Sequence, residues 1–298
     1  MIIAMEKTGS EAPEVSVVIP AYNEAGAIAE CTRSLLEVLA EAPFTCEVIV
    51  VDDGSSDDTA AQVRDLEGVH LLQHKSNRGY GAALKTGIRR ARGEIIVITD
   101  ADGTYPVDRI PELVAGMREC DMVVGARTGE SVRVPALRKP AKWFLTRLAS
   151  YLAEAEIPDL NSGLRAFRRS DVTQLFGILP NGFSFTATIT LAMMCSGMMV
   201  GFVPINYHER TGRSKIRPLQ DTYNFIVLIV RTISYFNPLR VFLPAAALLL
   251  TAGVITTIHD VFWANDIHDV DVLLLMGGLI VGAIGLLADI VAHTRTLS

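Results

Sequence analysis

The sequence lacks most of the features that mark nucleic-acid-binding, secreted or zinc-stapled proteins. Its four cysteines, Cys31, Cys46, Cys120 and Cys195, are far apart and form no CxxC pair, which argues against a zinc ribbon or a disulfide framework and fits a reducing compartment. Positive charge is not in excess. Lys and Arg number 27 against 33 Asp and Glu, a net charge of −6, so no global basic field exists to hold nucleic acid. The stretch Met1 to Pro13 carries Glu6, Lys7 and Glu11 without a long apolar core, so no cleaved targeting segment is expected. No GxGxxG follows the first apolar run, which sets aside a Rossmann-type oxidoreductase. His70, His74, His208, His259, His268 and His293 share no metal spacing and read as structural or exposed.

What the chain has in quantity is apolar sequence, 50% of its residues with a mean hydropathy of +0.32, and it is unevenly placed. Residues 1–215 mix charged and apolar positions. Short apolar runs at Val15 to Ile19, Glu47 to Val51, Val69 to Gln73, Glu94 to Thr99 and Met122 to Gly125 predict strands. Helical patterns at Ala27 to Leu39, Thr59 to Leu66, Ala82 to Arg90 and Ile110 to Arg118 alternate with them at βαβ spacing. The fold class is α/β with a mainly parallel, buried sheet, and such sheets bind ligands at the carboxyl ends of their strands. Tyr22-Asn23-Glu24, Asp52-Asp53-Gly54-Ser55 and Asp100-Ala101-Asp102 each follow a strand, so they converge on one rim.

Beyond about Ser214 the character changes. Asp221 to Tyr235, with Tyr223, Phe225, Arg231, Tyr235 and the following Phe236, suits a helix lying in a bilayer interface over 216–238. Val241 to Ile258 holds 18 residues without a charge and Val272 to Ala288 holds 17. At 1.5 Å per residue each run reaches about 25–27 Å, close to the ~30 Å hydrocarbon core. Two transmembrane helices over 239–298, at about 241–258 and 272–292, follow a domain over 1–215. Arg210, Arg213, Lys215, Arg217, Arg231 and Arg240 precede the first span and Arg295 follows the second, whereas His259 to Asp271 has four aspartates and no Lys or Arg. The positive-inside rule therefore puts both termini and the large domain in the cytoplasm of an integral membrane protein, in the cell membrane or, in a eukaryote, the ER membrane. Gly278 and Gly282 form a GxxxG with Gly285 nearby, a helix-packing face within the hairpin or between chains of a homo-oligomer.

The carboxylates on the rim carry the chemistry. Two acids on the turn after Ile95-Ile96-Val97-Ile98 make a hard oxygen site for Mg²⁺ or Mn²⁺, which can hold and neutralise a diphosphate. Alone, such a triplet is more often a solvated turn. Asp52 to Asp57 serves either as a turn capping the helix near Thr59 or as a nucleoside contact.

Taken together, Pro20-Ala21-Tyr22-Asn23-Glu24, Asp52-Asp53-Gly54-Ser55-Ser56-Asp57, Asn77-Arg78-Gly79 with Gly81 and Lys85, and Asp100-Ala101-Asp102-Gly103 resemble the inverting family 2 glycosyltransferases of GT-A fold in order and spacing. Gly125-Ala126-Arg127, Asp159 to Phe167, Gly182 to Phe185 and Arg210 to Lys215 narrow the likeness to the dolichyl- or polyprenyl-phosphate hexose synthases, over nearly the whole chain. That resemblance implies a nucleotide-sugar donor, a polyprenyl-phosphate acceptor in the membrane and a divalent metal. It implies that Pro20, Ala21, Tyr22, Glu24, Asp52, Asp53 and Lys85 line the donor site, that Asp100 and Asp102 meet the ribose and the metal-bound diphosphate, and that Arg210, Ser214 and Lys215 close over the diphosphate. Arg127, Arg138 and Arg165 are the arginines it offers to the acceptor phosphate.

Residues 181–188, where related enzymes commonly show an acid, contain none here. A phosphomonoester with a second pKa near 6 is already largely dianionic at pH 7 and needs no general base, unlike a hydroxyl acceptor. The rival readings are a transferase elongating a glycan, which calls for an acidic base and more membrane helices, and a non-catalytic nucleotide-sugar-binding scaffold, against which the intact acidic triplet argues.

Overall fold

The computed structural model describes residues 12–128, 147–151, 154–207, 218–263 and 266–296. The five apolar runs form strands β1 (Val15–Ala21), β2 (Cys46–Asp52), β3 (Val69–Gln73), β4 (Ile95–Ile98) and β5 (Met122–Ala126). Helices α1 (Ile28–Ala40), α2 (Thr59–Arg64), α3 (Tyr80–Arg90) and α4 (Ile110–Gly116) cross between them, as the alternating pattern requires. Two further strands, β6 (Arg165–Arg168) and β7 (Val200–Pro204), complete one sheet in the order β3-β2-β1-β4-β6-β5-β7. All pairs are parallel except those of β6, which runs antiparallel to both β4 and β5. The sheet is therefore mixed, with its one reversed strand, β6, inside it between β4 and β5.

Both faces of this sheet are covered. Every residue of β1 is buried, and the two-residue period sends Val15, Val17 and Ile19 to one core layer and Val18 to the other. The first layer packs under α1 and α4 through Leu35 and Ile110, the second under α3 through Leu84 and Ile88. Helices α5 (Arg169–Gln174) and α6 (Phe185–Cys195) follow β6, and α6 is buried from Phe185 to Met193. A third cluster joins Ala187 and Leu191 of α6 to Ile229 and Ile233 of α7 (Pro218–Phe236), so the expected interfacial helix is packed against the sheet domain by its apolar stripe.

Helices α8 (Leu239–Trp263) and α9 (Asp269–Thr296) form a hairpin. Their most apolar stretches have mean hydropathies of 2.1 and 2.4 yet are only 11% and 17% buried, the reverse of a soluble core helix. They fit a transmembrane hairpin. Both run past the charge-free segments because the flanking polar residues continue the same helical turns. A Cβ added at Gly278 would lie 3.0 Å from the Leu250 backbone nitrogen, one at Gly253 3.1 Å from that of Leu275, and one at Gly285 2.7 Å from Phe242 Cβ. The small residues thus bring the two helices of one hairpin together, and Gly282 faces Ala246 in the same seam. The GxxxG thus serves packing within the hairpin. The four cysteines are all free thiols.

Candidate active site

The rim forms where the parallel strands end. Register pairs Ala21 of β1 with Asp52 of β2 and Val18 with Ile98 of β4, so the Asp100 turn emerges beside the Pro20–Tyr22 segment. Pro20 and Ala21 are buried and Tyr22 is exposed. Asn23 adopts a left-handed φ of 56°, which Asn tolerates better than most residues, and this turns Glu24 back toward α2. Three hydrogen bonds fix the turn: Asn23 N to Ser55 Oγ at 2.9 Å, Ser56 N to Asn23 Oδ1 at 2.9 Å, and Glu24 N to Thr59 Oγ1 at 2.9 Å. Asp57 Oδ1 accepts from Thr59 N at 3.0 Å, which fixes the turn leading into α2.

The paired acids Asp52 and Asp53 divide their work. Asp52 Oδ1 accepts from Ser55 N at 3.1 Å and Oδ2 from Gln73 Nε2 at 3.3 Å, which aims a buried carboxylate along the rim. Asp53 is spent on structure. Its oxygens accept from Arg78 N at 2.9 Å and Gly79 N at 2.7 Å, and His74 Nδ1 lies 2.6 Å away. Gly79, at φ 100°, can offer that N–H only because it lacks a side chain; a Cβ there would strike Asn181 O at 2.4 Å. Lys85 is likewise engaged, donating to Leu179 O and to Asn181 Oδ1 at 3.1 Å, and burial lowers its pKa. In the structure Asp53 and Lys85 hold the Arg78–Gly79 and Leu179–Asn181 segments.

Asp100 and Asp102 are both half-buried at the end of β4. Tyr80, the first residue of α3, donates to Asp100 Oδ1 at 2.9 Å. A Cβ at Gly163 would lie 2.8 Å from both Asp100 oxygens, so this glycine gives the carboxylate its space. Tyr105 Oη accepts from Gly163 N at 2.6 Å and fixes that approach. Asp102 Oδ1 accepts from Thr104 N at 3.2 Å and Thr104 Oγ1 at 2.6 Å, which holds the turn. Burial and the Asp100 charge keep the phenols of Tyr80 and Tyr105 protonated by raising both pKa values. Phe183 stacks on Tyr80 at 5.5 Å and is otherwise 84% exposed. The donor set of two carboxylates, with neutral phenols behind them and Cys31 kept a thiol by burial at a pKa of about 11, fits a hard divalent cation.

The arginines depart most from expectation. Arg165 is completely buried. Its guanidinium donates to Ser162 O, Thr186 O at 2.9 Å and Thr190 Oγ1 at 2.8 Å, and burial pulls its pKa down to about 10, still charged at neutrality. So enclosed, the side chain ties the Ser162–Gly163 turn to α6. Arg127, just past β5, keeps part of its side chain exposed. It binds Asp159 in a fork, Nε to Oδ2 at 2.7 Å and Nη2 to Oδ1 at 2.9 Å, and lies 5.3 Å above the Tyr207 ring. Burial opposes its charge, but Asp159 outweighs it and leaves the guanidinium more basic than usual. Arg138, Arg210, Ser214 and Lys215 lie outside the described residues. Tyr80, Tyr105 and the partnership of Asp159 were not expected, since no periodicity or motif spacing marks a tyrosine as a carboxylate's neighbour.

Residues 16–176, more than half the chain, match the family model Glycosyl transferase family 2, and residues 237–294 match the GtrB C-terminal hairpin. The undecaprenyl-phosphate mannosyltransferase of Micrococcus luteus is 31% identical over 68% of this chain and 87% of its own length. The dolichyl-phosphate hexose transferase of Haloferax volcanii is 30% identical over 69% and 87%. Other curated relatives are longer, and the chain spans about half of them, 52% and 49% in two cases. Among solved structures, glucosyl-3-phosphoglycerate synthase of Mycobacterium tuberculosis, in complex with Mn²⁺, UDP and phosphoglyceric acid, superposes with a TM-score of 0.57 at 20% identity over 74% of this chain and 78% of that one. The strand-end acids, the mixed seven-stranded sheet and the apolar hairpin together have one family in common: the chain belongs to glycosyl transferase family 2 and ends in a GtrB C-terminal hairpin.

Proposed function

We propose that this glycosyltransferase moves a hexose-type sugar from a UDP- or GDP-linked donor to the phosphate of a polyprenyl phosphate, with inversion, at the cytoplasmic face of a membrane. The observation that carries the reading is that the acidic strand-end rim and the membrane hairpin belong to one packed body, through the α6–α7 cluster. The names of the Micrococcus and Haloferax relatives support the acceptor class.

In this reading Pro20, Ala21, Tyr22 and Glu24 form the nucleoside wall and Asp52 accepts from the ribose or base. Asp100 and Asp102 would hold Mg²⁺ or Mn²⁺, whose charge neutralises the diphosphate as it leaves. Tyr80, Tyr105 and Gly163 hold Asp100 in place. The acceptor phosphate, already dianionic, attacks the anomeric carbon opposite the diphosphate. A carbon–oxygen bond to the acceptor forms while that to the diphosphate breaks, and the electron pair departs on the diphosphate. No proton moves, which agrees with the absence of a carboxylate in residues 181–188. Arg127, with Arg138, is the cation offered to the acceptor; Arg165 stands behind them as a positioning residue. Arg210, Ser214 and Lys215, on the link to the hairpin, would close over the diphosphate.

Charge asymmetry across the hairpin supports a cytoplasmic domain, with the turn at 259–271 on the far side. Detergent-purified protein with Mn²⁺ is incubated with radiolabelled nucleotide-sugars, with and without polyprenyl phosphate, and extracted into organic solvent. Lipid-phase label that requires the phosphate and vanishes with EDTA is expected; label in a polymer, or in no product, would refute the reading.

A further inference from the structure

The turn between α8 and α9 gathers three metal-ligating side chains far from the strand-end rim. Asp260 sits in the last turn of α8, His268 just before α9, and Asp271 in its first turn. One ligating atom from each lies within 4.8 Å of the others. Nothing in their linear spacing shows this, because the reversal of the chain creates the proximity. Together with Ile255, Thr256 and His259 they line an open cavity of about 490 Å³.

The hydrogen bonds within the cluster leave one buried carboxylate oxygen over. His259 Nδ1 and His268 Nδ1 each lie 2.8 Å from an oxygen of Asp260. Asp271 Oδ2 accepts from His268 N at 3.1 Å, the role of an acid in the first turn of a helix. Its Oδ1 has no hydrogen-bond partner among the described residues, although Asp271 is only 1% exposed. A buried carboxylate oxygen without a partner is costly, and residues 259–271 contain no Lys or Arg to answer it. A cation in the cavity would satisfy this oxygen with Asp260 and His268 in reach.

We propose that Asp260, His268 and Asp271 bind a divalent transition metal, zinc in first place. One imidazole and two carboxylates form a mixed nitrogen–oxygen set that Zn²⁺ accepts with water at the remaining position, whereas Mg²⁺ and Ca²⁺ select oxygen alone. The exposed rings of Phe262 and Trp263 beside the cluster suit the aromatic flank of a membrane–water interface. The 25 residues of α8 separate this end from Leu239 by about 37 Å, so the site is distinct from the Asp100–Asp102 pair. The metal ties the end of one membrane helix to the start of the next.

The test loads the full-length protein in detergent with Zn²⁺ under excess Mg²⁺, removes unbound metal and counts zinc per chain. One Zn²⁺ per chain is expected in the wild type and in Asp102→Ala, and a loss of at least about tenfold in occupancy in His268→Ala and Asp260→Asn. Equal zinc in wild type and both turn variants, or none in the wild type, overturns the site. Should the variants fail to fold, Co²⁺ in the wild type decides: intense visible bands of a four- or five-coordinate ion support the site, and the weak spectrum of a six-coordinate ion or no uptake overturns it.

Discussion

The two halves of the sheet use charge in opposite ways. On the parallel side, β3-β2-β1-β4, carboxylates stand at the strand ends, Asp52 buried and Asp100 and Asp102 half-buried. On the side of β6-β5-β7, arginines point inward, Arg165 wholly enclosed and Arg127 forked onto buried Asp159. A charged residue after an apolar parallel strand is placed by the strand itself, since the chain must leave the sheet there. An arginine has a long stem and five donors, and whether it reaches a ligand or backbone carbonyls depends on what packs beside it.

The contrast can be broken by substitution. The largest effect is expected for Asp102→Ala, which should lower kcat/KM by about 10³-fold or more at any Mg²⁺ or Mn²⁺ concentration with little change in Tm. Near-normal turnover would mean the rim is not the metal site. Arg165→Met should act on the fold first: the carbonyls of Ser162 and Thr186 lose their donor, costing about 2–5 kcal/mol of stability in denaturant unfolding. A variant of unchanged stability whose acceptor KM alone rises would return Arg165 to the acceptor site.

Gly163→Ala tests where the halves meet. Its methyl enters the space of the Asp100 carboxylate, so kcat should fall roughly 10- to 100-fold while overpacking costs about 1–3 kcal/mol. Tyr80→Phe removes one hydrogen bond to that carboxylate and should cost about tenfold in kcat, with the fold intact by circular dichroism. The smallest effect is on pH dependence. Burial works against the charge of Asp159, but Arg127 prevails and holds its pKa below the usual carboxylate range. A depressed folded pKa gives stability that is present above the unfolded value near 3.9 and lost as pH falls through the lower folded value. Wild-type Tm should therefore drop more steeply below about pH 4 than that of Asp159→Asn; parallel curves would show that the pair adds nothing.

Strands β1 to β5 and helices α1 to α4 were legible because apolar runs and turn residues alternate cleanly, and the hairpin because Val241 to Ile258 and Val272 to Ala288 lack charge. Strand β6 was not. Its four residues, Arg165-Ala166-Phe167-Arg168, begin and end with a charge and hold no apolar run, and only pairing on both edges makes them a strand. Strand β7 was hidden by its glycine and terminal proline. At the site, the acids were legible from strand ends, whereas the tyrosines and glycine that set Asp100 come from three separate elements and meet only in the folded state.

Helix α7 shares a core with α6 instead of hanging from the sheet domain by a linker, and the Arg240–Glu154 ion pair braces the same junction. The sheet domain is thus fixed to the foot of the hairpin like a bracket on a wall, not moored to it like a float. Its height above the hairpin is set when the chain folds, and under the proposed function the acceptor phosphate has to come to that height.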